Sequence, residues 1–262
     1  HVAALLAMTE KEKAPRDDRR GMFMVFDFIL TQDARYTTQN VKQDCEMSKN
    51  KHLTTAPYQQ WLDREIEEIK KLNYVPELLL HSCCASCSSY VIDYLSPYFS
   101  ITVFFYNPNI YPETEYEKRL KDQTKLLKEM TVINEVSLIA GPYETELFYQ
   151  RVKGLEQEKE GGKRCLKCYE LRLEKTAQKA LELKIPYFTT TLTVSPHKNS
   201  EAINRLGSEI ASEYRLKYLF SDFKKKGGFQ RSVLLANQYR LYRQNYCGCI
   251  FSREKKGIHN QE

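Results

Sequence analysis

From residue 58 onward the chain divides into segments whose apolar positions recur every three or four residues and shorter runs that are apolar throughout. Trp61, Leu62, Ile66, Ile69 and Leu72 fall between charged residues and predict an amphipathic helix over 58–72. Pro76 closes the connection, and Leu78-Leu79-Leu80 is the short apolar run of a fully buried strand, predicted over 78–82. A helix over 86–96, ended by Pro97, leads to a second strand, Ile101-Thr102-Val103-Phe104-Phe105-Tyr106, dense in β-branched and aromatic residues. Glu113 to Met130 is a charged helix with Leu120 and Leu127 on its apolar face, Val132 to Ala140 a third strand, and Tyr143 to Val152 a further helix. Gly161-Gly162 ends the charged link after it. Leu173, Ala177, Ala180 and Leu181 then mark the buried face of a helix expected to follow the cysteines at 165 and 168. Strands at Tyr187 to Val194 and Lys217 to Phe220 flank a helix at Ser200 to Tyr214.

Helices alternating with apolar strands predict an α/β fold of Rossmann-like type, a parallel sheet with helices on both faces, carrying a basic Cys-containing C-terminal region. Ligands of such sheets gather beyond the C-terminal ends of the strands. We place the α/β domain at 58–262. Residues 1–57 are mostly polar, and the expectation is a largely disordered N-terminal extension with one apolar island, Met22 to Leu30, and an isolated Cys45.

Composition adds three constraints. Hydrophobic residues make up 42% and aromatics 12% of the 262 residues, enough for a sizeable core. No run of 18 apolar residues is present, so no membrane partner is expected, and no signal-peptide cleavage pattern is clear at the N-terminus. A cytoplasmic location follows as an expectation, and in a reducing compartment eight cysteines point to metal or redox chemistry rather than structural disulfides. The net charge of +6 is lopsided, because eleven Lys and Arg against three Asp and Glu stand from Tyr214 to the end. That excess suits a polyanion or a solvated charged face.

The candidate chemistry is in the thiols. Leu80-His81-Ser82-Cys83-Cys84-Ala85-Ser86-Cys87 carries the first strand into a turn and a helix start. Thiols there meet free backbone N–H groups and the positive end of the helix dipole, which favour the thiolate that binds metals and attacks electrophiles. Cys165-x-x-Cys168 and Cys247-Gly248-Cys249 are two more clusters. The first two clusters supply the four cysteines of a four-iron four-sulfur (4Fe-4S) cluster, while Cys-x-x-Cys is equally a zinc half-site. Seven clustered thiols exceed what one tetrahedral zinc needs, which favours a redox centre. Cys247 and Cys249 suit either a strained, labile disulfide or a second metal.

Other polar residues are candidates by position. His81 reads as an acid, a ligand or a hydrogen-bonded structural group. Asn107 and Asn109 end the second strand and, with Glu115, Tyr116 and Arg119, face the same edge as the thiols. Thr189-Thr190-Thr191-Leu192 and Ser195-Pro196-His197-Lys198 offer hydroxyls and a lysine for substrate or phosphate. Asp222, next to three lysines, suits a metal or neutralises its neighbours.

Five ordered motifs together, Leu-His-Ser-Cys-Cys-Ala-Ser-Cys-Ser, Tyr-Asn-Pro-Asn-Ile with Glu-Tyr-Glu-Lys-Arg, Arg-Cys-Leu-Lys-Cys-Tyr-Glu-Leu-Arg-Leu, Asp-Phe-Lys-Lys-Lys-Gly-Gly and Tyr-Cys-Gly-Cys, resemble the epoxyqueuosine reductases of the QueH type. The resemblance runs from about Glu77 to Ser252, with Ser86 where that family usually has proline. It implies reduction of epoxyqueuosine to queuosine at the tRNA wobble position, without cobalamin and with an electron donor the chain does not identify. It further implies a 4Fe-4S cluster on Cys83, Cys84, Cys165 and Cys168, and a redox-active pair in Cys247 and Cys249. An adjacent mononuclear iron would draw on Cys87 and Asp222. His81 and Lys198 become candidate proton donors, and Asn107, Asn109 and Lys198 candidate substrate contacts. The basic C-terminal region would hold anticodon-loop phosphates, with Phe229, Tyr242 and Tyr246 available to stack on bases. A zinc-stabilised RNA-binding protein without redox activity is the alternative reading.

Overall fold

A computed structural model describes residues 58–255. The expectations for residues 1–57, including the extension, Met22 to Leu30 and Cys45, lie outside the described residues. Helix α1 (Tyr58–Ile69) precedes five strands, β1 (Glu77–His81), β2 (Ser100–Phe105), β3 (Val136–Ala140), β4 (Tyr187–Thr190) and β5 (Lys217–Tyr218). Between them run α2 (Ala85–Leu95), α3 (Glu113–Glu129), α4 (Thr145–Val152), α5 (Lys163–Leu183) and α6 (Ser200–Tyr214). Two helices, α7 (Gly228–Gln238) and α8 (Ile250–Lys255), occupy the basic C-terminal region, where charge alone had suggested no element. None of the described helices is long and apolar enough to cross a membrane.

The strands are parallel, in the order β3-β2-β1-β4-β5. Leu78, Leu79 and Leu80 are fully buried because β1 is central and both its faces are covered. Leu78 and Leu80 enter one core with Leu62, Ile66, Val91 and Ile92. Leu79, pointing the other way, packs with Phe104, Leu173, Ala177 and Ile203. Helix α6 sits tightly on the sheet edge at Gly207, where a Cβ would lie 2.3 Å from the Tyr218 ring.

Several boundaries moved for local reasons. Thr131 to Glu135 is a loop, because the parallel register with β2 first pairs Val136 with Ile101. After Thr190 the chain tightens into a 3-10 turn over Thr191–Val194, with the Thr190 hydroxyl accepting from the Leu192 amide at 3.2 Å. Helix α5 begins at Lys163, so Cys165 and Cys168 lie inside its first turns rather than before it.

His81 closes the end of β1. Its Nε2–H donates to the carbonyl of Tyr106 at 3.1 Å, and its Nδ1 accepts from the Thr190 hydroxyl at 2.7 Å, so the ring ties β1 to both neighbouring strands. The carbonyl can only accept, which fixes the proton on Nε2. Complete burial, followed by the nearby Arg172 charge, lowers its pKa to about 3. The unfolded chain therefore binds a proton near pH 6.5 that the folded chain refuses. Stability is full above about pH 6.5 and falls toward pH 3 by roughly 1.4 kcal/mol per pH unit from this group. Urea unfolding between pH 7.5 and 5 checks this: His81→Gln should lose that slope, and an unchanged slope would contradict the assignment.

Candidate active site

The loops after β1 and β4 part where the sheet order reverses, opening a crevice at the C-terminal edge. Cys83 and Cys84 occupy the β1 side of it. The Cys83 amide donates to Thr191 Oγ1 at 3.1 Å, and the Thr191 hydroxyl donates to Cys83 Sγ at 3.3 Å. Cys84 is the extended residue before α2 (φ −174°), and Cys87 comes up from the first turn of that helix. The sulfurs of Cys83, Cys84 and Cys87 lie within 4.8 Å of one another, with Cys83 and Cys84 3.8 Å apart. Hydrogen bonds from Cys84 and then Cys87 hold Cys83 well below an ordinary thiol pKa. The bond to Cys83 pushes Cys84 up to about 11, and the bonds to Cys83 and Cys84 push Cys87 up as well. One negative charge is thus shared by three sulfurs, a donor set that suits a thiophilic metal such as iron or zinc.

A second group of thiols faces it from α5 and the C-terminal segment. The Gly161 amide donates to Cys165 Sγ at 3.2 Å, while burial raises the pKa of Cys165 and brings Cys168 to about 11. Cys249 shares an apolar pocket with Cys168, Phe148, Val152 and Leu171, and burial followed by the Cys247 charge raises it to about 12. Both α5 cysteines interact electrostatically with Cys247. All seven described cysteines are free thiols.

The C-terminal segment is fastened by its backbone. The Tyr111 amide donates to the Gly248 carbonyl at 2.8 Å, and Arg119 Nη1 donates to the Cys247 carbonyl at 3.3 Å. Arg119 is itself held by Glu115, and the Tyr246 hydroxyl donates to the Tyr111 carbonyl at 2.9 Å. Gly248 has φ +118°, and a Cβ there would lie 3.0 Å from Arg119 Nη1 and 3.1 Å from Ile110 Cγ1. The Cys-Gly-Cys spacing is therefore a close-approach requirement as well as a hinge between two thiols.

A cavity of about 540 Å³ lies between these elements, lined by Cys83, Cys84, Cys87 and Cys247 among others. Lys198 and Asn107 line it as well. Asn107 Nδ2 donates to the Ser82 carbonyl at 2.8 Å, which leaves its buried Oδ1 unpartnered. Asn109 is buried nearby in sequence with neither amide atom partnered, but it does not line this cavity. Phe229 and Tyr246 line the cavity, whereas Tyr242 is covered by Lys118 Nζ at 3.6 Å from its ring centre.

Two of the sequence candidates stand away from the cavity lining. His81 is outside the cavity lining, with both nitrogens bonded and a pKa near 3, so at neutral pH it has no acidic imidazolium to offer. Asp222 is neutralised in an ion pair with Lys224 and is not among the lining residues. Sequence reasoning missed Arg172, Tyr169 and Gln244 as cavity residues. Arg172 had a usable signal, since it follows Cys168 by four positions and Cys165 by seven and so shares their helical face.

The family model described as Epoxyqueuosine reductase QueH matches residues 78–255. Among curated proteins carrying that name, one from Streptococcus pyogenes serotype M1 is 43% identical over 202 residues, covering 75% of this chain and 79% of its own. One from Staphylococcus epidermidis is 42% identical over 77% of this chain and 86% of its own. A third, from Thermotoga maritima, is 41% identical over 67% of this chain and 89% of its own.

Gly248→Ala tests the fastening. The positive φ should cost about 1–3 kcal/mol, and the displaced loop should expose Cys247 to iodoacetamide, read by peptide mass spectrometry as faster labelling. Unchanged melting and labelling would show that the close approach does not constrain the pair.

Proposed function

The chain belongs to the QueH family of epoxyqueuosine reductases, and on that premise we propose that it reduces epoxyqueuosine in tRNA to queuosine at the thiol-lined cavity. The observation that carries this reading is that Cys83, Cys84 and Cys87 of the β1–α2 turn and Cys247 of the C-terminal segment line one cavity, with Cys165 in the same apolar cluster as Cys83 and Cys84 and Cys168 in that of Cys249. Removing the epoxide oxygen consumes two electrons and two protons and leaves an alkene and water.

Oxidation of a Cys247 and Cys249 dithiol to its disulfide releases that same number of electrons and protons, after which an external donor must restore the dithiol. Cys247 lines the cavity while Cys249 is buried with Phe148, Val152, Cys168 and Leu171, so the pair has one member toward the cavity and one toward the core. Cys83, Cys84, Cys165 and Cys168 are the proposed ligands of a 4Fe-4S cluster, which when bound supplies electrons one at a time. Cys87, within 4.8 Å of Cys83 and Cys84, is the thiol available to an adjacent single iron. Cobalamin has no part in this reading.

The remaining groups bind and orient. Burial alone would favour a neutral Lys198, but the charges of Cys247, Cys83 and Cys87 outweigh it and hold the ammonium protonated. An ammonium at the cavity wall stabilises the oxygen as negative charge develops on it. Asn107 Oδ1 is a free acceptor for a donor on the base or ring. Phe229 and Tyr246 offer faces for stacking, and the basic C-terminal region matches the phosphates of an RNA loop.

The test is turnover of epoxyqueuosine tRNA by anaerobically purified protein with dithionite, read as queuosine by nucleoside mass spectrometry. Cys165→Ala should lose visible absorption and activity together. Cys249→Ala should keep most of the absorption while turnover falls by about tenfold or more, the scale expected when a group acting only in the chemical step is removed. Full turnover by Cys249→Ala would remove the redox-pair role. Colourless, zinc-loaded protein without turnover would contradict the reductase reading and leave the zinc-stabilised RNA binder.

A further inference from the structure

Arg172 belongs to the Cys-Tyr-Glu-Leu-Arg stretch of α5, and no role described above uses it. The residue is 2% exposed, yet it lines the cavity. Its Nε donates to the Cys168 carbonyl at 3.1 Å, and its Nη2 has no partner. Lys198, half-buried, lines the same cavity. Neither cation forms an ion pair with a carboxylate among the described residues. The one acid lining the cavity, Glu160, accepts from the Ser252 hydroxyl at 3.4 Å.

A buried cation without a counter-charge is strongly unfavourable. Beyond the Tyr169 ring, 5.6 Å from the Arg172 guanidinium, the groups that bear on these cations are sulfurs. Arg172 interacts electrostatically with Cys168, Cys247 and Cys83, and Lys198 with Cys247, Cys83 and Cys87. Arg172, bonded to the Cys168 carbonyl, and Lys198 both line the cavity together with Cys83, Cys84, Cys87 and Cys247. The positive charge is matched when the sulfurs are thiolates on a metal centre.

We propose that Arg172, assisted by Lys198, is the fixed positive charge that sets the reduction potential of the iron-sulfur centre, making its reduced, more negative state easier to reach. This inference rests on the reading under Proposed function. It follows because adding an electron adds negative charge at sulfur, and potentials of such centres respond to nearby charge and to hydrogen bonds at the sulfurs. Arg172 acts here as a positioning and tuning residue and transfers no proton or electron itself.

The test is an anaerobic potentiometric titration of the loaded holoprotein, followed by electron paramagnetic resonance, with iron and sulfide content matched between variants. Arg172→Gln keeps a donor for the Cys168 carbonyl and removes the charge. It should bind the electron at least about tenfold more weakly, which is about 59 mV to more negative potential for a one-electron couple. Arg172→Lys, which keeps the charge, should shift it by no more than roughly a third of that. Lys198→Gln should move it the same way by less, and decides the matter if Arg172→Gln does not load iron. Unchanged potentials in the loaded glutamine variants, or equal shifts in Arg172→Gln and Arg172→Lys, would overturn the inference while the reductase reading stands. A wild-type protein with no reducible iron after reconstitution would overturn that reading and the inference with it.

Discussion

Two hydrogen bonds between Cys83 and Thr191 join the loops that leave the middle of the sheet in opposite directions. Everything chemical in the molecule is arranged around that join. A parallel sheet must send its connections over its faces, and where the order reverses, between β1 and β4, neighbouring loops diverge and leave a crevice. Burial of Leu78, Leu79 and Leu80 on two faces makes β1 rigid. His81, bonded to both flanking strands, carries that rigidity to the strand end. The thiols that follow are consequently placed by the core and held by backbone, where a loop alone would leave them loose.

The opposite wall has a different construction. Helix α5 brings Cys165, Cys168 and Arg172 on one face, and a strap from Tyr242 to Ser252 brings Cys247 and Cys249. That strap has no helix or strand before α8 begins at Ile250, and its anchors are Tyr111, just before α3, and Glu115 and Arg119 within it. A rigid thiol turn on one side and a fastened strap on the other suit a site where the turn stays fixed while Cys247 and Cys249 change bonding. Electrostatics supports the division. Hydrogen bonds from its neighbours lower Cys83 in the first group, whereas burial raises Cys165, Cys168 and Cys249 in the second.

Much of this was legible in the sequence, and for identifiable reasons. The parallel α/β architecture followed from apolar runs at Leu78 to Leu80 and Ile101 to Tyr106 separated by helical periods. By number and spacing the cysteine clusters marked the candidate site, and the structure brings Cys83, Cys84 and Cys87 within metal-binding reach of one another. What the sequence did not show is what lies across from each residue. His81 has the same letters around it whether it faces a cavity or, as here, Thr190 and the Tyr106 carbonyl. Asp222 beside three lysines reads as a ligand or as an ion pair, and only the fold pairs it with Lys224. Helix α7 was hidden by the three lysines before it and by Gly227-Gly228. Yet Ser232, Leu235 and Ala236 bury one of its faces, and Gly228 is required because a Cβ would lie 1.9 Å from the Phe223 carbonyl.

The central claim is that these seven thiols gather to hold a redox metal centre beside an electron-carrying pair. X-ray absorption at the iron and zinc edges of anaerobically purified protein tests it most directly. The account predicts iron surrounded by sulfur with iron–iron scattering from a cluster. Zinc alone in a closed four-sulfur shell, with no iron taken up on anaerobic reconstitution, would contradict it.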